Sequence, residues 1–226
     1  PAPGPQPSRS APTAHRPPIW SIGGNDVHPI LYYFMLKVLN IFFGSNILIY
    51  RLFSIVPIAI LSILGFTHIR KDFGEKIGLL FSFLILFLPG ITKYASEIRM
   101  YSWAMLFVTI TSIYAYRLYK GKFTNKNLII FGIFSLAGAY THYYALMASG
   151  LINLLLFIYL LKNLKEKKKE LIKFIICAVL QIILYIPWLM CLITQMTNVS
   201  EGFWISLTFP RNIDTSYKCA ILLKSK

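Results

Sequence analysis

The chain has 226 residues, of which 56% are hydrophobic and 14% charged, with a mean hydropathy of +0.61. A soluble domain averages about 45–50% apolar and roughly 25% charged residues, so this composition excludes a soluble globular enzyme and, over most of the chain, disorder. The formal net charge of +15 would point to nucleic acid in a soluble protein, but in so apolar a chain it is first read as a membrane-topology signal.

Residues 1–18, PAPGPQPSRSAPTAHRPP, are rich in Pro, Ala and Ser and lack an apolar run. They read as a disordered or non-native tail rather than a signal peptide. The expected membrane domain covers residues 19–210, and 211–226 form an atypical C-terminal tail that starts no full span. Pro29–Phe43 is apolar but short and contains Lys37, which favours an interfacial helix. Spans are then expected at Arg51–Ile69, Ile77–Ile91 (a short one), Tyr101–Tyr119 and Leu171–Ile193. Between the last two, Leu128–Leu161 has 34 residues, about 50 Å of helix at roughly 1.5 Å per residue. That exceeds a bilayer core of about 30 Å, so two helices are expected, broken at Tyr140-Thr141-His142-Tyr143. The expected fold class is all-α: a polytopic transmembrane helical bundle of about six spans plus one interfacial helix.

The lysines and arginines give an orientation. Segments 70–76, 117–126 and 162–173 hold most of them, whereas the alternate segments hold only Lys37, Lys93 and Arg99. The positive-inside rule puts the basic segments in the cytoplasm. On this reading the charge marks topology and calls for no nucleic acid, and Lys162–Lys169 is a solvated loop. Cys177, Cys191 and Cys219 have no metal or redox spacing. Asn198-Val199-Ser200 is a formal glycosylation sequon on the outer side.

With this topology, several polar clusters share the extracytoplasmic face: Asp26-Val27-His28-Pro29, Glu97-Ile98-Arg99-Met100-Tyr101, Thr141-His142-Tyr143-Tyr144 and Ser200–Trp204. Each has a structural reading. Asp26 before Pro29 suits a helix cap. Glu97 and Arg99 suit an interface ion pair, the tyrosines an aromatic belt, and His142 a satisfied turn. Arg51 suits a snorkelling cation. Together they also suit chemistry. Arg51, Lys93 and Arg99 can hold a lipid phosphate, and a nearby carboxylate can serve as general base. His28 and His142 can orient a group or bind a divalent cation, and the aromatics can stack on a sugar or a polyprenyl chain. No glycine-rich phosphate loop is present, which argues against a nucleotide as the direct donor.

These clusters resemble the C-type membrane glycosyltransferases, the group that includes the protein O-mannosyltransferases and the lipid A aminoarabinose transferases. The family's Asp-x-His-Pro-Pro-Leu-Tyr-Tyr stretch is similar to Asp26–Tyr33, with Ile30 in place of the second proline. Its Arg-Leu-x-Ser span start resembles Arg51–Ser54, its Glu-x-Arg-Met-Tyr segment Glu97–Tyr101, and its Tyr-Thr-His-Tyr turn Tyr140–Tyr143. The four segments occur in the family's order and cover about residues 20–210.

The resemblance implies transfer of a sugar from a polyprenyl-phosphate carrier to a lipid, glycan or protein acceptor, outside the plasma membrane. It implies Asp26 and Glu97 as catalytic carboxylates, His28, Arg51 and Arg99 at the donor phosphate, and Tyr101, His142 and Tyr143 against substrate. A divalent metal ion assists some relatives. Relatives also carry a span and an acidic loop before the Asp-x-His motif, where this sequence has residues 1–18, so the chain reads as an internal fragment, inactive alone. Two other classes compete, a membrane transporter or lipid flippase and a non-catalytic membrane scaffold. The span interiors are nearly free of charge, which disfavours a transporter.

Overall fold

The computed structural model describes residues 29–202, with side chains described at Ile193 but not elsewhere beyond Met190. Asp26, His28, both expected tails, Cys219 and the side chains of Cys191 and Glu201 lie outside the described residues. The chain divides into two compact units, one running to Gln181 and one starting at Ile182. In the second unit the described backbone is helical to Gly202, with Pro187 inside it.

Among the described residues every regular element is a helix. α1 is Leu31–Phe43, a short apolar helix where the interfacial one was expected. α2 (Ile47–Leu64), a π-turn (Gly65–Ile69) and α3 (Arg70–Phe73) form one rod, Ile47–Phe73. The Asn46 side chain caps the rod by accepting from the Leu48 N–H at 2.9 Å. Gly74 then reverses the chain at φ 95°, a conformation open to glycine. α4 is Glu75–Phe87 and α5 is Pro89–Ser96, bent from each other by 54°. The bend falls at Leu88, whose extended backbone is what the residue before a proline prefers. α6 is Tyr101–Tyr119, α7 Asn125–Ala139, α8 Tyr143–Lys162 and α9 Leu164–Gly202.

The long apolar stretch does break at Tyr140–His142. The expected loop at Lys162–Lys169 does not form. Asn163 joins α8 to α9, and the one irregularity beyond it is the non-helical backbone of Lys167. The connection is compressed into Asn163 and the kink at Lys167, with Leu164–Glu166 helical between them, because Leu, Lys and Glu are good helix formers.

Among the described residues, three helices are long and apolar enough to cross a membrane: Ile47–Phe73, Tyr143–Lys162 and Leu164–Met190. The bent pair α4–α5 makes a fourth if it counts as one span. The expected six are not reached by length and composition. α7 has 15 residues, short of the roughly 20 that a crossing needs. α6 has the length, but Ser102, Thr109, Thr111, Ser112 and Arg117 dilute its apolarity. Two of these hydroxyls are satisfied within the helix, Thr111 by the Phe107 carbonyl and Ser112 by the Val108 carbonyl, each at 2.8 Å.

α6 packs on α7, α8 and α2, and α2 packs on α4. One core joins Ile58, Leu61, Ile85, Leu106, Phe107 and Ile110, and another joins Leu118, Phe131, Leu160 and Phe174. Gly65 and Gly78 allow the π-turn and α4 to touch, and a Cβ on Gly78 would meet the Arg70 Cα at 2.9 Å. Outward faces stay apolar, as at Phe83, Phe87, Leu151, Leu155, Ile172 and Ile176. Such surface suits a lipid surround.

The alternating rods gather the basic segments at one end of the first unit. There the Arg117 Nε donates to the nearly buried Asp72 carboxylate at 2.6 Å, and Lys122 lies 3.4 Å from the same group. Lys173 Nζ donates to Asn125 Oδ1 at 2.9 Å.

Candidate functional site

The opposite end of the first unit collects the described parts of the sequence clusters. α1 is pinned at its start, where the Leu31 N–H donates to the Tyr140 carbonyl at 3.0 Å and Pro29 is fully buried. The segment after Asp26 and His28 thus docks on the α7–α8 turn.

Ser54, fully buried on α2, is the hub of this end. Its hydroxyl donates to the Tyr50 carbonyl at 3.1 Å. With that proton committed, Tyr32 is the donor across the 3.4 Å contact between the two hydroxyls. Burial pushes the Tyr32 phenol pKa up, with Ser54 pulling it back less strongly, so the group stays protonated. The Ser54 carbonyl accepts from Ser102 Oγ at 2.8 Å, and the Phe53 carbonyl from Trp103 Nε1 at 3.2 Å. Tyr50 donates its hydroxyl to Asn40 Oδ1 at 3.0 Å. Met100, 4% exposed, packs with Tyr32, Leu36 and Tyr50. These contacts tie the α5–α6 loop to α1 and α2.

On this frame Glu97 and Arg99 stand at the surface. Arg99 Nε lies 3.7 Å from Glu97 Oε2, with side-chain exposures of 60% and 36%. A pair so exposed contributes about 0–1 kcal/mol, so it does not hold the loop together. Arg99 Nη1 reaches the Tyr101 hydroxyl at 3.5 Å. That hydroxyl, and to a lesser extent Glu97, hold the Arg99 pKa above its ordinary value, so the guanidinium remains a cation.

His142 occupies the N-cap of α8 with extended backbone, and its Nδ1 accepts the Tyr144 N–H at 3.1 Å. The neutral ring in this role carries its proton on Nε2. It is 6% exposed. Its centroid lies 5.4 Å from Tyr101 and 5.2 Å from Tyr144, so it links the turn to α6. Tyr143, half-buried, opens α8.

Glu97, Arg99, Tyr101, His142 and Tyr143 therefore share one end of the unit. Arg51 is exposed near the start of α2 and makes no ion pair among the described residues. Sequence reasoning gave no role to Ser54, Ser102 or Asn40. Ser54 lies inside the Arg-Leu-x-Ser stretch, but its value comes from its tertiary partners.

No group of three or more His, Cys, Asp or Glu side chains fit for a metal ion forms among the described residues. His142 Nδ1, engaged as a cap, is not free to ligate one. Asp26 and His28, the other expected polar residues of this end, lie outside the described residues. No family model, curated protein or solved structure matches the chain.

Proposed function

We propose that the chain is part of a multi-pass membrane glycosyltransferase acting on a polyprenyl-phosphate sugar at the extracytoplasmic face of the plasma membrane. The observation that carries this reading is the meeting of Leu31–Tyr33, Glu97–Tyr101 and Tyr140–Tyr144 at one end of the bundle, with Arg99 exposed there. In this reading α4–α5 crosses as one bent span, and α6 and α7 cross while shielded by α2 and α8, which gives the six passages. The basic end faces the cytoplasm.

The acceptor hydroxyl oxygen attacks the anomeric carbon. The bond from that carbon to the carrier phosphate oxygen breaks, and the polyprenyl phosphate leaves with the electron pair. The acceptor proton passes to a carboxylate, Asp26 or Glu97. Arg99, with Arg51 and His28, neutralises the leaving phosphate, for which a guanidinium fork is suited. Tyr101 and Tyr143 offer aromatic faces to the sugar or the carrier. His142 acts by positioning Tyr101 and Tyr144.

The test is native mass spectrometry of the detergent-purified chain with a polyprenyl-phosphate sugar, beside Arg99→Ala. Saturable binding weakened about tenfold or more in the variant is expected, the loss of one charge-assisted contact. Equal binding by both proteins would remove the phosphate role from Arg99.

A further inference from the structure

The end opposite the candidate site carries cations that its own acids do not neutralise. Asp72 is engaged by Arg117 and Lys122, Glu75 by Arg70 at 3.1 Å, and Glu170 by Lys167 at 3.8 Å. Lys126, Lys162, Lys165, Lys168, Lys169 and Lys173 are exposed and form no ion pair among the described residues. Glu166 is the one acid left in this stretch.

The helix that carries most of these lysines is tied to α8 and to the start of α7. Lys167 folds back onto α8, donating to the Tyr159 hydroxyl at 2.8 Å with its Nζ 4.8 Å from the ring centroid. Beyond that fixed joint Lys169 and Lys173 are one turn apart on α9, where like charges repel. The Lys173 bond to Asn125 brings the start of α7, with Lys126, beside them. The fold therefore holds several positive charges close together, an arrangement that an external anion relieves.

Large apolar side chains border this strip. Leu161 is 48% exposed, Leu164 44%, Ile172 50% and Ile176 55%. The cations thus sit where an apolar band ends, the level at which lysine stems lie along lipid and their heads reach water. A nucleic acid docked on the strip would lie against that band, whereas a phospholipid matches both its charge and its apolar border.

We propose that this basic strip binds anionic phospholipid head groups of the leaflet it faces. The proposal rests on the membrane placement in the proposed function and not on the transferase reaction.

The test uses the full chain in detergent, titrated with phosphatidylglycerol or with phosphatidylcholine of the same acyl chains and read by native mass spectrometry. Phosphatidylglycerol should bind about tenfold tighter or better, and the preference should weaken with added salt. The combined variant K165Q/K168Q/K169Q/K173Q should lose most of the preference. The matching Lys→Arg variant should keep it, as should K37Q on α1. Equal binding of the two lipids, or a preference that survives the glutamines, would overturn the proposal. So would displacement of the bound lipid by an oligonucleotide at comparable concentration. A chain that stays soluble without detergent and takes up neither lipid would overturn the membrane placement as well.

Discussion

The two ends of the first unit are fastened by different chemistry. At the aromatic end, neutral donors reach backbone carbonyls: Ser102 to Ser54, Trp103 to Phe53, Leu31 to Tyr140. Its charges, Glu97 and Arg99, stand outside that network. At the basic end the fastening is itself ionic, with Asp72 nearly buried between Arg117 and Lys122. Tyr114 lies 5.1 Å from the Arg117 guanidinium, and Phe73 packs on Tyr116. The contrast teaches where charge is spent. One end uses buried charge to hold helices together, and the other fastens itself with neutral groups and keeps Glu97 and Arg99 at the surface.

The sharpest way to break this contrast is Arg117→Ala. It leaves the Asp72 carboxylate with one exposed partner, and unfolding in detergent should show a loss of about 3 kcal/mol. Adding Asp72→Leu should recover most of the loss, because the stranded charge goes with it. His142→Ala should cost about 1–2 kcal/mol by removing the α8 cap, with His142→Asn returning about 1 kcal/mol. Ser54→Ala and Tyr32→Phe should each cost about 1 kcal/mol, and the double variant less than the sum, since they share one hydrogen bond. Glu97→Gln should shift unfolding by less than about 0.5 kcal/mol. A large loss there would erase the distinction between the two ends.

Much of the architecture is legible from the sequence, for identifiable reasons. α6 has the expected bounds, and the break before Tyr143 falls where polar side chains interrupt an apolar run too long for one crossing. α1 appears as the short helix its length implied. The number of spans was less legible, because apolarity and helix length part company in α6 and α7. So was the joint at Asn163, because lysine and glutamate break an apolar run while favouring helix. In the site, Arg99 and Tyr101 were visible as residue types. Ser54 was not, since its worth lies in Tyr32 and Ser102, which are distant in sequence. The close packing of the π-turn on Gly78 of the next helix was equally hidden, because it is a tertiary contact.

The marginal apolarity of α6 and the shortness of α7 have a consequence for how the protein is made. A segment leaves the insertion machinery for lipid according to its own transfer free energy, which for ordinary spans is summed from the hydrophobic residues at the helix centre. α6 and α7 would each partition poorly if released singly. They are adjacent in the chain, pack on each other and share α8 as a neighbour. If α6 and α7 cross as in the proposed function, their entry into a bilayer is a joint event, with the pair retained until α8 has emerged, and biogenesis of this region proceeds by helical groups rather than one segment at a time.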